Sequence, residues 1–151
     1  MAAAGISQAG YSGTPLPAKL GLKDGMDVAF IALPAELDEL AASRSFASVD
    51  RLESWRDIAG RARAFDIVHG FTRQRAELED ALPSAQHAIK RDGTIWVSWP
   101  KKASKVPTDV TEDVVRDAAL QLDLVDVKVA AIDHIWSGLK LVIRKDRRND
   151  V

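Results

Sequence analysis

Three apolar runs, residues 27–33, 65–71 and 94–99, carry almost no polar alternation. A strand covered on both faces needs such a run, so these segments are predicted as central strands. Between them the apolar positions change to helical spacing. Leu37, Leu40 and Ala41 follow Pro34, which suits the first position of a helix, and predict a short helix to about Ser43. Residues 46–49 read as a further short strand, and Leu52, Trp55, Ala59 and Ala62 then recur at helical intervals. Thr72 is the expected N-cap of the next helix, with Leu78, Leu82, Ala85 and Ile89 facing inward. Pro83 is expected to kink or restart it, and Asp92-Gly93 to close it.

Pro100 ends the third run, since proline brings no amide hydrogen to a ladder. After the basic loop 101–107, Asp109 with Glu112 three residues on forms a capping-box-like start to a helix carrying Val114, Val115, Ala118, Ala119 and Leu122. Residues 125–133 and 139–144, with Ser137-Gly138 between them, predict two antiparallel strands. Strands alternating with helices imply parallel pairing, right-handed crossovers and helices on both faces. The expected fold class is therefore α/β: a Rossmann-like, open, mostly parallel sheet with a C-terminal antiparallel hairpin. The domain division is an N-terminal arm at 1–23, one α/β domain at 24–145 and a frayed tail at 146–151.

Composition narrows the function without naming it. The 151 residues are 46% hydrophobic and 28% charged, which suits a single globular domain. The absence of cysteine removes disulfides, thiolate metal sites and a cysteine nucleophile, and fits a reducing compartment. Neither a signal-peptide core nor a bilayer span is apparent, so the expectation is a cytoplasmic protein with no membrane partner. A net charge of −1 argues against a general nucleic-acid binder.

Two resemblances follow from particular residues. The stretch His87-Ala88-Ile89-Lys90-Arg91-Asp92-Gly93-Thr94-Ile95-Trp96-Val97 is similar to the helix end, glycine turn and strand before the last crossover helix of class I S-adenosylmethionine-dependent methyltransferases. Most of the chain also resembles small bacterial proteins grouped as a domain of unknown function. That likeness rests on Tyr11-Ser12-Gly13-Thr14-Pro15-Leu16, on Trp96-Val97-Ser98-Trp99-Pro100-Lys101-Lys102-Ala103-Ser104, on Thr108-Asp109-Val110-Thr111-Glu112-Asp113-Val114-Val115-Arg116, and on Leu124-Val125-Asp126-Val127-Lys128-Val129 with Trp136-Ser137-Gly138-Leu139. It implies a fold and no reaction.

The methyltransferase likeness implies a glycine-rich loop after the first strand, where backbone approaches the cofactor. This chain has Ala32-Leu33-Pro34-Ala35-Glu36 there, with no glycine and with an amide donor lost at Pro34. Asp50 is the candidate acid for ribose hydroxyls. With that fingerprint missing, no cofactor is expected, and S-adenosylmethionine binding is disfavoured.

Lys101 and Lys102 follow a strand's carboxyl end and precede a helix, where open α/β sheets bind anions. The competing reading pairs these lysines with Asp109, Glu112 and Asp113 at the same helix start. Trp96 and Trp99 lie three apart on a strand and so point to opposite faces, and Trp99, nearer the strand end, is the choice for a pocket wall. Trp136 is a second aromatic candidate. Asp133 and Ser137 flank the hairpin connection, but no Gly-x-Ser-x-Gly elbow and no metal-ligand spacing accompanies them or His69, His87 and His134. No catalytic and no metal residue is assigned. Ser12 and Thr14 in the arm offer hydroxyls that fold over a ligand, pin the terminus to the sheet, or reach a second subunit.

The expected function is a small-molecule-binding or interaction module, without catalysis or with a cryptic activity. Its candidate ligand residues are Ser12, Thr14, Trp99, Lys101, Lys102, Asp133, Trp136 and Ser137. The expected partners are a small anionic ligand, and a second copy of the chain or another protein. The rival readings are an atypical S-adenosylmethionine-dependent transferase and a structural subunit of a larger assembly.

Overall fold

Continuous apolar runs become the middle of a sheet because only there are both faces of a strand withdrawn from water. The computed structural model describes residues 13–151. In it the strands are β1 (Asp27–Ile31), β2 (Ser48–Leu52), β3 (Phe65–Phe71), β4 (Ile89–Pro100), β5 (Leu124–Ala131) and β6 (Trp136–Ile143). They form one sheet in the order β2-β1-β3-β4-β6-β5. The first four strands are parallel, and β6 lies antiparallel between β4 and β5. The fold is the Rossmann-like α/β arrangement the sequence predicts, and the hairpin closes it by inserting its second strand beside β4.

Each face of the sheet has its own cluster. Ile31, Val68, Ile95, Val97, Trp99 and Leu139 point to one side and pack with Leu78, Leu82, Val115 and Trp55. The first two of these partners belong to the α-helix Arg75–Ala88, and Val115 to the α-helix Glu112–Leu120. Val28, Phe30, Ile67, Phe71 and Trp96 point to the other side, against Leu16, Leu20, Leu22, Leu37 and Leu40. That layer consists of the one-turn helix Leu16–Lys19 and the 3-10 helix Ala35–Ala42. In chain order the α-helices are α1 (Leu16–Lys19), α2 (Arg75–Ala88) and α3 (Glu112–Leu120).

Several local expectations are corrected. The prolines expected to keep residues 13–17 out of a helix do not do so, because Pro15 and Pro17 occupy a helix start, where no amide hydrogen is needed. Leu16, Leu20 and Leu22 are 2% exposed, and the indole Nε1 of Trp96 donates to the Leu20 carbonyl at 3.0 Å, so this segment is bound into the core. The helix expected over residues 52–62 is only the 3-10 turn Trp55–Ile58, since β2 extends to Leu52 and Gly60 takes φ 81°. Nor does Pro83 interrupt α2, whose exposed Pro83 turns its missing hydrogen bond to the solvent side. The helix ends at Ala88, four residues before Asp92.

The caps are corrected as well. Thr111, not Asp109, is the N-cap of α3, its Oγ1 accepting from the Val114 N–H. Asp109 instead accepts the Arg75 N–H at 2.7 Å and thereby caps α2. Thr72 precedes the cap it was expected to form: its Oγ1 accepts from Gln74 N and donates to Glu77. No described helix is long and apolar enough to cross a membrane.

Candidate functional site at the carboxyl ends of the strands

At the end of β1 the chain must leave the sheet at once, and Ala32 does so with φ 56°. The left-handed region costs a residue with a Cβ roughly 1–2 kcal/mol, which is why glycine usually stands there. An alanine thus holds a backbone conformation that glycine usually supplies where a chain turns sharply out of a strand. The Ala32 N–H donates to the Leu52 carbonyl at 2.8 Å, tying the turn to the end of β2. Ala32 is exposed, and strain held at an exposed turn directs attention to its surroundings.

Two clefts meet there. One, of about 380 Å³, is lined by Phe30, Ala32, Leu33, Arg51, Leu52 and Glu53. The other, also of about 380 Å³, runs from Ala32 and Pro34 across Phe71, Thr72 and Arg73 to Glu77 and Trp136. Phe71 and Trp136 meet edge to face at 5.2 Å, forming an aromatic wall. Arg73 is exposed; its carbonyl accepts from Thr108 Oγ1 at 2.8 Å, and its guanidinium has no hydrogen-bond or ion-pair partner among the described residues.

Sequence reasoning chose Asp50 as the ribose acid, but its carboxylate is held by Arg61 at 2.6 Å. Glu53, the first residue past β2, is exposed at the cleft and has no hydrogen-bond partner among the described residues. β2 ends at Leu52, three residues beyond its predicted end, and the candidate acid moves with it.

Behind the clefts the core is tightly fitted. A Cβ at Gly70 would lie 2.3 Å from Trp55 Cζ2, so this strand glycine exists to admit the indole. The Trp55 Nε1 donates to the Phe71 carbonyl at 3.0 Å, fixing the last turn of β3. A lone glycine inside an apolar run was the available signal for this contact. On the other face, His69 and Ser98 share a hydrogen bond at 2.7 Å, with His69 stacked on Phe71 at 4.3 Å. Burial pushes the His69 pKa down to about 3. The ring is therefore a neutral structural group, sealed from both clefts.

Ser12 lies outside the described residues, and Thr14 is exposed just before α1. Trp96 and Trp99 do occupy opposite faces, but both are buried: Trp99 belongs to the helix-side core and lines neither cleft. Lys102 is exposed in a short 3-10 turn, whereas Lys101 is half-buried and its N–H donates to the Ile135 carbonyl at 2.8 Å. Neither lysine pairs with Asp109, Glu112 or Asp113. Asp133 Oδ1 accepts the N–H groups of Ile135 and Trp136, each at 2.8 Å, and so shapes the connection that presents Trp136. Ser137 stands between Trp99 and Ala131 in the ladder. The fold thus brings Lys101, Asp133, Trp136 and Ser137 to one end of β6, and of these Trp136 lines the cleft. Among the described residues no group of three metal-ligating side chains occurs.

Residues 60–145, more than half of the chain, match the family described as "Protein of unknown function (DUF3052)". The chain belongs to this family. No curated protein matches the DUF3052 chain at a significant level. Among solved structures, it is similar to a Burkholderia thailandensis 1,6-didemethyltoxoflavin-N1-methyltransferase with bound 1,6-didemethyltoxoflavin and S-adenosylhomocysteine. That similarity has TM-score 0.65 and 11% identity, over 95% of this chain and 80% of that one. A Haemonchus contortus phospholethanolamine N-methyltransferase 2 in complex with phosphomonomethylethanolamine and S-adenosylhomocysteine gives TM-score 0.63 at 8% identity, over 86% of this chain and 52% of that one. A chain from a complex containing the Haloferax volcanii Trm112 methyltransferase activator gives 0.61 at 10% identity, over 94% of each chain. At these identities the likeness establishes the methyltransferase-like fold of the DUF3052 protein and nothing finer.

Proposed function

We propose that this chain binds a small ribosylated ligand across the two clefts at the carboxyl ends of β1, β2 and β3, and holds it without transferring a group. The observation that carries this reading is Ala32, kept at φ 56° and exposed exactly where the clefts meet. Glu53 supports it, since a carboxylate at the end of the second strand is suited to accept both hydroxyls of a ribose. Arg73 gives an anionic substituent on the ligand a cation, and Trp136 with Phe71 gives a planar one an apolar wall. The methyl-donor pose of S-adenosylmethionine fits poorly. The turn carries the Ala32 methyl and the Pro34 ring where close backbone approach is wanted, and Pro34 offers no amide.

Calorimetry with adenosine, adenosine monophosphate, S-adenosylmethionine and S-adenosylhomocysteine tests the proposal. The expected result is saturable binding of an adenosine compound, weakened at least tenfold by Glu53→Gln, with no preference for the methyl donor. Silent titrations with all four at millimolar concentration would remove the nucleoside reading. The second reading is an atypical S-adenosylmethionine-dependent transferase, favoured by similarity to two structures solved with S-adenosylhomocysteine. Selective, tight binding of S-adenosylmethionine or its demethylated product would support it.

A further inference from the structure

We propose that the outer edge of β5, which no described strand covers, takes up an extended acidic and apolar segment of another protein as an added strand. No residue of β5 lines either cleft, so this surface stands independently of the ligand they hold. β5 ends the sheet, with β6 on its inner side and no described strand on its outer side. A strand edge with unpaired backbone groups is a template for another chain. A bulge between Asp126 and Lys128 bends the first half of β5, leaving residues 128–131 as its regular stretch, of which the Ala131 carbonyl already accepts from Lys19 Nζ at 3.2 Å.

The side chains at this edge say which partner fits. Val127 and Val129, 51% and 47% exposed, are two of the four large apolar residues exposed among the described residues, and Lys128 stands between them. Lys128 faces Lys140 directly across the ladder. Lys19 lies near enough to Lys101 and Lys128 that burial, then these two charges, lower its pKa; burial and Lys128 do the same to Lys140. Like charges opposed across a sheet are destabilising. None of the ion pairs among the described residues involves Lys101, Lys128 or Lys140. The nearby acids serve elsewhere: Asp126 binds Arg116 on the helix side at 3.1 Å, and Asp133 caps its own turn.

An added strand alternating acidic and apolar residues would set its carboxylates over the lysines and its apolar side chains beside Val129. A second copy pairing edge to edge is disfavoured, because two-fold symmetry would bring two lysine clusters together. Nucleic acid is disfavoured as well, since lysine and valine supply neither guanidinium forks nor stacking rings.

The test is fluorescence anisotropy of the full chain with a labelled ten-residue peptide of alternating glutamate and valine. Thermal melting confirms that each variant folds. The proposal expects saturable binding that weakens at least tenfold with Lys128→Glu, and again with Val129→Asp, together with slowed amide exchange at residues 127–131. No binding, unchanged binding by Lys128→Glu, or tighter binding of a ten-nucleotide single strand would each overturn it. So would light scattering that shows a dimer dissociated by Val129→Asp, which would assign the edge to a second copy.

Discussion

The two ends of the parallel strands are built on opposite terms. At the amino ends Lys90, Asp27 and Asp66 are engaged with one another in holding the sheet together, beside a smaller cleft of about 270 Å³ lined by Met26, Asp66, Asp92, Thr94 and Lys140. Lys90 reaches Asp27 at 3.2 Å and Asp66 at 3.1 Å, while Asp66 also accepts the Asp27 N–H at 2.8 Å. The Ser48 hydroxyl and Lys90 hold the Asp27 carboxyl below its ordinary pKa, and these carboxylates in turn raise that of Lys90. Arg63 donates to the carbonyls of Gln86 and Ile89 at 2.8 Å each, closing the junction between α2 and β4. At the carboxyl ends Ala32 is strained, Glu53 has no hydrogen-bond partner among the described residues, and two clefts stand open. Left-handed backbone occurs at both ends, at Ala32 and at Arg63 with φ 50°, so what sets the carboxyl end apart is that its strained turn lines the clefts.

Predicted perturbations separate the two ends, beginning with the core they share. His69 is neutral in the folded protein down to about pH 3, whereas in the unfolded chain it takes up a proton below 6.5. Its contribution is therefore intact above pH 6.5 and falls by about 1.4 kcal/mol for each pH unit below that, levelling off near pH 3. Urea unfolding between pH 4.5 and 7 checks this: the acid loss should be markedly smaller in His69→Gln than in the parent.

Gly70→Ala forces the Trp55 indole out of its seat and is expected to cost about 1–3 kcal/mol. Because Trp55 holds the Phe71 carbonyl, the same change should also weaken ligand binding at the clefts. Retained affinity would show that the wall does not depend on that packing. Ala32→Gly removes the left-handed strain and should raise stability by up to about 1 kcal/mol, the gain reduced by the freer unfolded chain. A melting temperature that falls instead would mean that the turn is not strained. The smallest effect is expected at the amino end. Lys90→Ala should cost less than about 1 kcal/mol, because these pairs are partly exposed, and should leave ligand affinity unchanged.

How much of this could be read from the sequence depended on how local the determining physics was. β1, β3 and the second half of β4 were legible because burial on both faces leaves an unbroken apolar run, whereas the first half of β4, from Ile89 through the exposed Arg91 and Asp92, was read as a helix end and turn. The opposed faces of Trp96 and Trp99 followed from strand alternation alone. The turn Trp55–Ile58 was misread as part of a longer helix because its apolar residues answer to the pocket over Gly70, a long-range contact, and not to a helical stripe. Asp109 carried the signature of a cap for the following helix, yet it caps a helix 34 residues earlier, which only tertiary placement decides. Of the site, Trp136 was legible as an aromatic near a strand end. Glu53 was not, since its meaning depends on where β2 stops, and Ala32 was hidden because backbone strain leaves no mark on an alanine.

The most direct test of the account is two-dimensional amide NMR of the labelled protein titrated with adenosine monophosphate. The predicted result is saturable shifts at Ala32, Leu33, Glu53 and residues 71–74, abolished in Glu53→Gln, with Asp27, Asp66 and Lys90 unmoved. Shifts concentrated at the amino-end ion pairs, or a spectrum unchanged at saturating ligand, would contradict it.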